Sequence, residues 1–277
     1  MARGASLFVI AVALLSGCGK PAPPARSVAP QAALDVYAPC LLSIPIQKVV
    51  ARFQASHPGP KISVLIDKPL AQIEEVTSAA DAAGVAITLG EIEMDTLVSA
   101  GVVRKQDVKA FAVNGYPIVA VAPAAGTKEG GGSLKELASP AIKRILIEDP
   151  SRSSLGDRAT RGLKQAGLWA AVSAKVVRPE AEAMILAELL DGSADAALVF
   201  KGCLFAEKGP QGAIPKTIRI VGELPASEGA PITYQAAPLT RSEDAALARE
   251  FVAFLGSPEG RAALQEAGLA LPPAEGR

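Results

Sequence analysis

Short apolar runs alternate with amphipathic stretches between residues 34 and 271. The runs 34–38, 61–66, 85–89, 117–122, 144–147, 196–200, 217–221 and 232–236 read as strands. Most are apolar on both faces, the pattern of strands covered by helices on both sides. Between them the period lengthens. Ile46, Val49, Val50 and Phe53 recur at i, i+3, i+4 and i+7, which predicts a helix from about Ser43 to Ser56. Ile185, Leu186, Leu189 and Leu190 make a second stripe, closed by Gly192 in a C′-like position. Leu247, Phe251, Val252 and Leu255 make a third. Ser257-Pro258-Glu259 then restarts a helix, with serine at the N-cap and proline at N1. The alternation predicts an α/β fold with mostly parallel sheets and helices on both faces. Binding groups in such folds gather beyond the C-terminal ends of strands. The loops after Ala38, Ile66, Leu89, Ile147 and Phe200 are therefore the informative ones.

The first residues follow a different pattern. Arg3 precedes an apolar stretch from Leu7 to Leu15, half the length that spans a bilayer, which has the form of an export signal. Leu15-Ser16-Gly17-Cys18 resembles a bacterial lipobox. That resemblance implies a signal peptide over 1–17 and a lipid on Cys18, anchoring the mature chain outside the cytoplasm on a bacterial cell-envelope membrane. Residues 18–33 are rich in Pro and Ala without hydrophobic period and read as an extended tether. Lys+Arg and Asp+Glu are both 28, so no basic surface points to nucleic acid as a partner. After Cys18, only Cys40 and Cys203 carry thiols. A disulfide is allowed in that compartment, but two cysteines do not build a scaffold.

Several segments taken together carry a family likeness. "LDVYAPCLLSIPIQKVVARF", "RILIEDPSRSSLGDRATRGLKQAGLW", "LLDGSADAALVF", "GAPITYQAAPL" and "FVAFLGSPEGRAALQEAGL" resemble the molybdate-binding proteins of ABC importers, in order and spacing. The most specific combination is Asp149-Pro150, the Leu-Trp ending at Trp169, and Pro231-Ile232-Thr233-Tyr234. The resemblance implies a two-lobed type II periplasmic binding fold. Lobe one would hold 34–115 plus 232–277, and lobe two 116–231. It also implies a small anionic ligand of the molybdate or tungstate type, a membrane permease as partner, a monomer, and no cofactor, metal or enzymatic step.

The ligand set follows from the same likeness. Ser154-Leu155-Gly156-Asp157 reads as a capping box opening a helix after the strand that ends at Ile147. Arg152, Ser153, Ser154 and the Leu155 N–H would face the anion there, because a helix N-terminus offers unpaired N–H groups and a positive dipole end. Plain N-capping without a ligand is the other reading of the same residues. Leu41, beside Cys40, stands where the family places a serine. Ile66-Asp67-Lys68-Pro69 replaces a serine run, Phe200 replaces a tyrosine, and Glu182 completes the expected lobe-two set. Lys68 and Arg152 either compensate as charged donors or are solvated surface groups.

Cys40 and Cys203 each follow a strand on the cleft-facing side. A disulfide, two free thiols and a soft-metal site stay open, the metal lacking enough ligands. His57 is separated from Cys40 by a helix, about 20 Å at 1.5 Å per residue, which excludes a Cys–His nucleophile pair. Glu91, Glu93 and Asp95 are expected to face water, with Met94 and Leu97 turned to the core and Trp169 a packing anchor. The altered loops also fit a second function, a binding-fold lipoprotein that senses or responds to redox state without transporting.

Overall fold

The computed structural model describes residues 33–78, 84–124, 132–179, 185–205, 214–225 and 231–272. The signal segment 1–17, Cys18 and Glu182 lie outside the described residues, as does the tether apart from Ala33, which already belongs to the first strand. Two five-stranded sheets form the framework. The first contains β1 (Ala33–Pro39), β2 (Lys61–Asp67), β3 (Val85–Leu89), β4 (Lys109–Val113) and β10 (Thr233–Pro238) in the order β2-β1-β3-β10-β4. The second contains β5 (Ile118–Pro123), β6 (Ile145–Leu146), β7 (Val176–Val177), β8 (Ala196–Phe200) and β9 (Ile218–Glu223) in the order β7-β6-β8-β5-β9.

The fold is α/β and of the type II class, with mixed sheets. In the first sheet β1 pairs parallel with β2 and β3, whereas β10 runs antiparallel to β3 and β4. In the second, β6 pairs parallel with β7 and β8, and β5 runs antiparallel to β8 and β9. The antiparallel strands are those that arrive from the other sheet. The chain enters the second sheet at β5 and re-enters the first at β10, so neither strand follows a crossover helix of its own sheet.

Helices cover both sheets. α1 (Ser43–Ser56) buries Ile46, Val49, Val50 and Phe53, the predicted stripe. Phe53 sits edge-on to Phe251 and Phe254 of α7 (Ala245–Gly256), with both ring centroids at 5.2 Å. Burying each such side chain stabilises by roughly 1.5–3 kcal/mol. His57 ends α1, stacks on Phe53 at 4.0 Å and pairs with Glu250 at 3.1 Å. It is half-buried packing between α1 and α7 and has no part in a site. α2 (Pro69–Ser78) inserts Gln72, whose amide donates to the carbonyls of Tyr37 and Ile87 at 3.3 and 2.8 Å and so fastens β1 to β3. On the second sheet, α4 (Ser154–Gln165), α5 (Trp169–Val172) and α6 (Ile185–Leu190) pack over β6 and β8, with Trp169 partly buried in that core.

Ser257 both closes α7 and opens α8 (Pro258–Glu266). Its hydroxyl donates to the Phe254 carbonyl at 2.8 Å and accepts from the Gly260 N–H at 3.0 Å. Ser257→Ala is expected to lower stability by about 1 kcal/mol, read as a shifted denaturant midpoint with unchanged slope. An unmoved midpoint would deny the cap its role.

Candidate functional site

All five loops expected to matter reach one cavity of about 190 Å³ between the sheets. Cys40 and Leu41 come from the turn after β1, Lys68 and Pro69 from the end of β2, and Leu89 with Glu93 from the end of β3. The second sheet contributes Glu148, Ser153 and Leu155 after β6, and Phe200 with Cys203 after β8. The remaining wall is apolar: Ile185, Leu186 and Val199. A larger cavity of about 360 Å³ lies on the other side of Cys40, Leu41 and Gly202. It faces the crossing segments, where the buried Tyr234 hydroxyl has no partner. The smaller cavity is the candidate site, because the loops after β1, β2, β3, β6 and β8 all reach it.

The mouth of α4 is where sequence and structure differ most. The N-cap is Ser153, not Ser154: the Ser153 oxygen accepts from the Gly156 N–H at 3.2 Å. Ser154 is thus the first residue of the helix, and its own amide and hydroxyl are free to turn outward. Both are taken by Glu93 of α3 (Glu91–Ser99), which belongs to the first sheet. Glu93 Oε1 accepts the Ser154 N–H at 2.8 Å, and Oε2 accepts the Ser154 hydroxyl. Ser154 Oγ accepts in turn from the Ile92 N–H at 3.4 Å. A carboxylate from one sheet therefore sits on the positive end of a helix carried by the other, the arrangement that helix termini favour for anions.

Glu93 was expected to face water with its acidic neighbours, and this is corrected: it is 2% exposed, whereas Asp95 is exposed. The signal that would have found it is its place in α3, one residue before buried Met94 and four before buried Leu97. Its approach to Ser154 depends on Gly90, whose backbone lies at φ +119° and ψ 168°. A β-carbon there would fall 2.0 Å from Ser154 Oγ.

Glu148, at the buried end of the "RILIEDP" segment, is a second carboxyl that sequence reading missed. It is 3% exposed. Its Oε2 accepts the Ser153 hydroxyl, and its Oε1 has no hydrogen-bond partner. Burial pushes both carboxyls up, Glu93 to about 7 even against its bonds from Ser154, and Glu148 likewise even against its bond from Ser153.

The other expected residues divide. Leu41, Lys68, Ser153, Leu155 and Phe200 line the cavity, as does Cys40. Arg152 does not: its side chain is exposed and pairs with exposed Glu74 at 3.2 Å, where its charge avoids the cost of burial in a largely apolar cavity. Cys40 and Cys203 are not joined by a disulfide and face the same cavity. Donation from the Cys203 S–H holds the Cys40 thiol below its ordinary value, with help from Lys68 and against burial. Among the described residues no three His, Cys, Asp or Glu groups assemble as a metal site, and no helix is long and apolar enough to cross a membrane.

Residues 34–270 match the model of the family described as bacterial extracellular solute-binding protein. The molybdate-binding protein ModA of Mycobacterium tuberculosis is 25% identical over 276 residues, covering 97% of this chain and 98% of that protein. Among solved structures, the periplasmic molybdate-binding protein of Azotobacter vinelandii superposes with a TM-score of 0.59 at 18% identity, covering 87% of this chain and 100% of that one. The sulfate-binding protein SubI of Mycobacterium tuberculosis gives 0.61 at 17% identity, covering 88% of each chain.

Proposed function

Because the chain belongs to the bacterial extracellular solute-binding protein family, a family of binding proteins and not of enzymes, we propose that it captures a small oxyanion of the molybdate or tungstate type and delivers it to an ABC importer. Lobe one, 34–115 plus 232–277, and lobe two, 116–231, close around the ligand. The mature chain works as a monomer and hangs from the envelope membrane by a lipid on Cys18. No covalent step is involved; affinity comes from pre-placed donors in an enclosed cleft.

The observation that carries this reading is the carboxylate already seated on the α4 N-terminus. The Ser154 amide and hydroxyl are set for an anion, and Glu93 stands in for it when no ligand is present. An incoming oxyanion replaces Glu93, and Lys68 adds a charged donor from the first sheet. Glu148, whose carboxyl burial pushes up toward its neutral form, adds a buried Oε1 with no partner of its own beside the cavity. The four oxygens of a tetrahedral anion are then met by groups from both sheets, which is what stabilises the closed state over the open one. The ModA likeness over nearly the whole chain supports the same ligand class.

The test is a thermal melt of the full chain with molybdate, tungstate, sulfate or phosphate, since a ligand bound only by the folded state raises the midpoint in proportion to log concentration. At least one of the four is expected to raise it. If all four leave it unmoved while small organic cations raise it, the two carboxyls are the ligand-binding groups and the polarity of the site is the reverse of the one proposed.

A further inference from the structure

The thiol pair is the feature of the cavity that anion capture leaves unused. Cys40 opens the short 3-10 turn Cys40–Leu42 directly after β1 of the first sheet. Cys203 lies in the 3-10 turn Lys201–Phe205 directly after β8 of the second. The two turns are in van der Waals contact. A β-carbon added at Gly202 would fall 2.7 Å from Leu41 Cδ2 and 2.6 Å from Tyr116 Cδ2, so the missing side chain is what lets the turns meet. Each thiol is half-buried, the two are not joined by a disulfide, and both line the same cavity. The two sulfurs thus follow strands of different sheets and face one cavity.

We propose that Cys40 and Cys203 form a reversible disulfide that ties the two lobes together across the solute cavity, so that oxidation holds the site shut and reduction frees it to exchange ligand. The proposal rests on the extracytoplasmic placement argued above and is independent of which anion is bound. The Cys203 S–H donates to Cys40, and Lys68 adds positive charge nearby, both of which favour a Cys40 thiolate. That thiolate attacks one sulfur of an external disulfide, carried by an envelope thiol oxidoreductase or a small disulfide. A mixed disulfide forms and one external thiolate leaves. Cys203 loses its proton and attacks the Cys40 sulfur, forming the Cys40–Cys203 bond and expelling the second external thiolate. Two protein thiols become one disulfide, and the two electrons and two protons pass to the external pair. A dithiol reductant runs the sequence backwards.

The full chain is treated with oxidised glutathione and then alkylated under native and denaturing conditions, with mass spectrometry as readout. The expected product is a monomer lighter by two hydrogens, with no alkylatable thiol at Cys40 or Cys203 and both recovered after dithiothreitol. Cys40→Ser and Cys203→Ser should each stop at a glutathione adduct on the remaining thiol. Hydrogen exchange at the Ser154 and Leu155 amides should slow by about tenfold on oxidation and recover on reduction. Two alkylatable thiols in the oxidant-treated folded protein overturn the bond. A bond that leaves exchange at Ser154 and Leu155 unchanged overturns the clamp. Neither readout uses a ligand, so a failed oxyanion melt leaves this test standing.

Discussion

Glu93→Gln is expected to flatten the pH dependence of stability and to make the protein more stable than the wild type at pH 8. Burial raises the Glu93 carboxyl from 4.5 to about 7 in the folded chain. The folded state therefore holds this proton more tightly than the unfolded state does. The stabilisation this provides is complete below pH 4.5, falls as pH rises, and is lost above about 7. Each pH step between the two values is worth roughly 1.4 kcal/mol, and the interval roughly 3 kcal/mol. Glutamine copies the protonated form: its oxygen accepts from the Ser154 N–H, and its amide reaches the Ser154 hydroxyl. Glu148 titrates in both proteins and its repulsion is the smallest influence on Glu93, so the difference between the two stability curves isolates Glu93. Denaturant titrations from pH 5 to 8 should show that difference widening in favour of the variant. Parallel curves would remove Glu93 from the electrostatics of the site.

The same substitution bears on ligand capture. An oxyanion that takes the place of the Glu93 carboxylate competes with it only when that carboxylate is charged. Oxyanion affinity of the wild type should therefore rise as pH falls through about 7. The variant should bind more tightly at pH 8, by about tenfold if the competition is worth 1.4 kcal/mol, and no more tightly at pH 5. Equal affinities at both pH values would place the anion elsewhere in the cavity.

Strand runs with strong apolar signal, such as those at 85–89 and 196–200, are read correctly from pattern because both of their faces are buried. β4 is missed because it begins on exposed Lys109 and Ala110 and buries only Phe111 and Ala112 fully. β7 is two residues long, shorter than any period. The mixed sheets escape pattern reading because strand direction depends on which sheet the chain has just left. The loops that line the candidate cavity are legible, since strand ends can be located from the pattern. The identity of the groups filling the site is not. Glu93 lies in "EIEMD", a stretch whose composition reads as a solvated face although its spacing to Leu97 marks an inward position, and what it meets there follows from the docking of α3 on α4. The two thiols were placed on the cleft side by the strands they follow, and both do line the cavity.

Gly90→Ala is expected to have the largest effect of any single methyl added near the cavity. Two costs combine. The backbone at φ +119° and ψ 168° lies in a region that only glycine occupies readily, and forcing alanine into it costs roughly 1–3 kcal/mol. The new β-carbon would also meet Ser154 Oγ at 2.0 Å, Ser154 Cβ at 2.4 Å and Glu93 Oε2 at 2.7 Å. Ser154 cannot step aside cheaply, because its amide and hydroxyl are both held by Glu93. Relief comes by parting α3 from α4, which leaves a buried carboxyl without its donors at a further cost of roughly 1–3 kcal/mol. The total is about 3 kcal/mol or more, with increased alkylation of Cys40 and Cys203 as α3 and α4 part. Gly192→Ala is the control: its φ of +85° is also positive, but no atom lies within 4 Å of its added β-carbon, so it carries backbone strain alone. Ser154→Gly removes the two closest clashing atoms. In the Gly90→Ala background it should restore part of the loss, whereas on its own it costs the protein a hydroxyl that Glu93 uses. A double-mutant cycle showing strictly additive effects would mean that the two residues do not meet, and with that the join between α3 and the head of α4 would be lost.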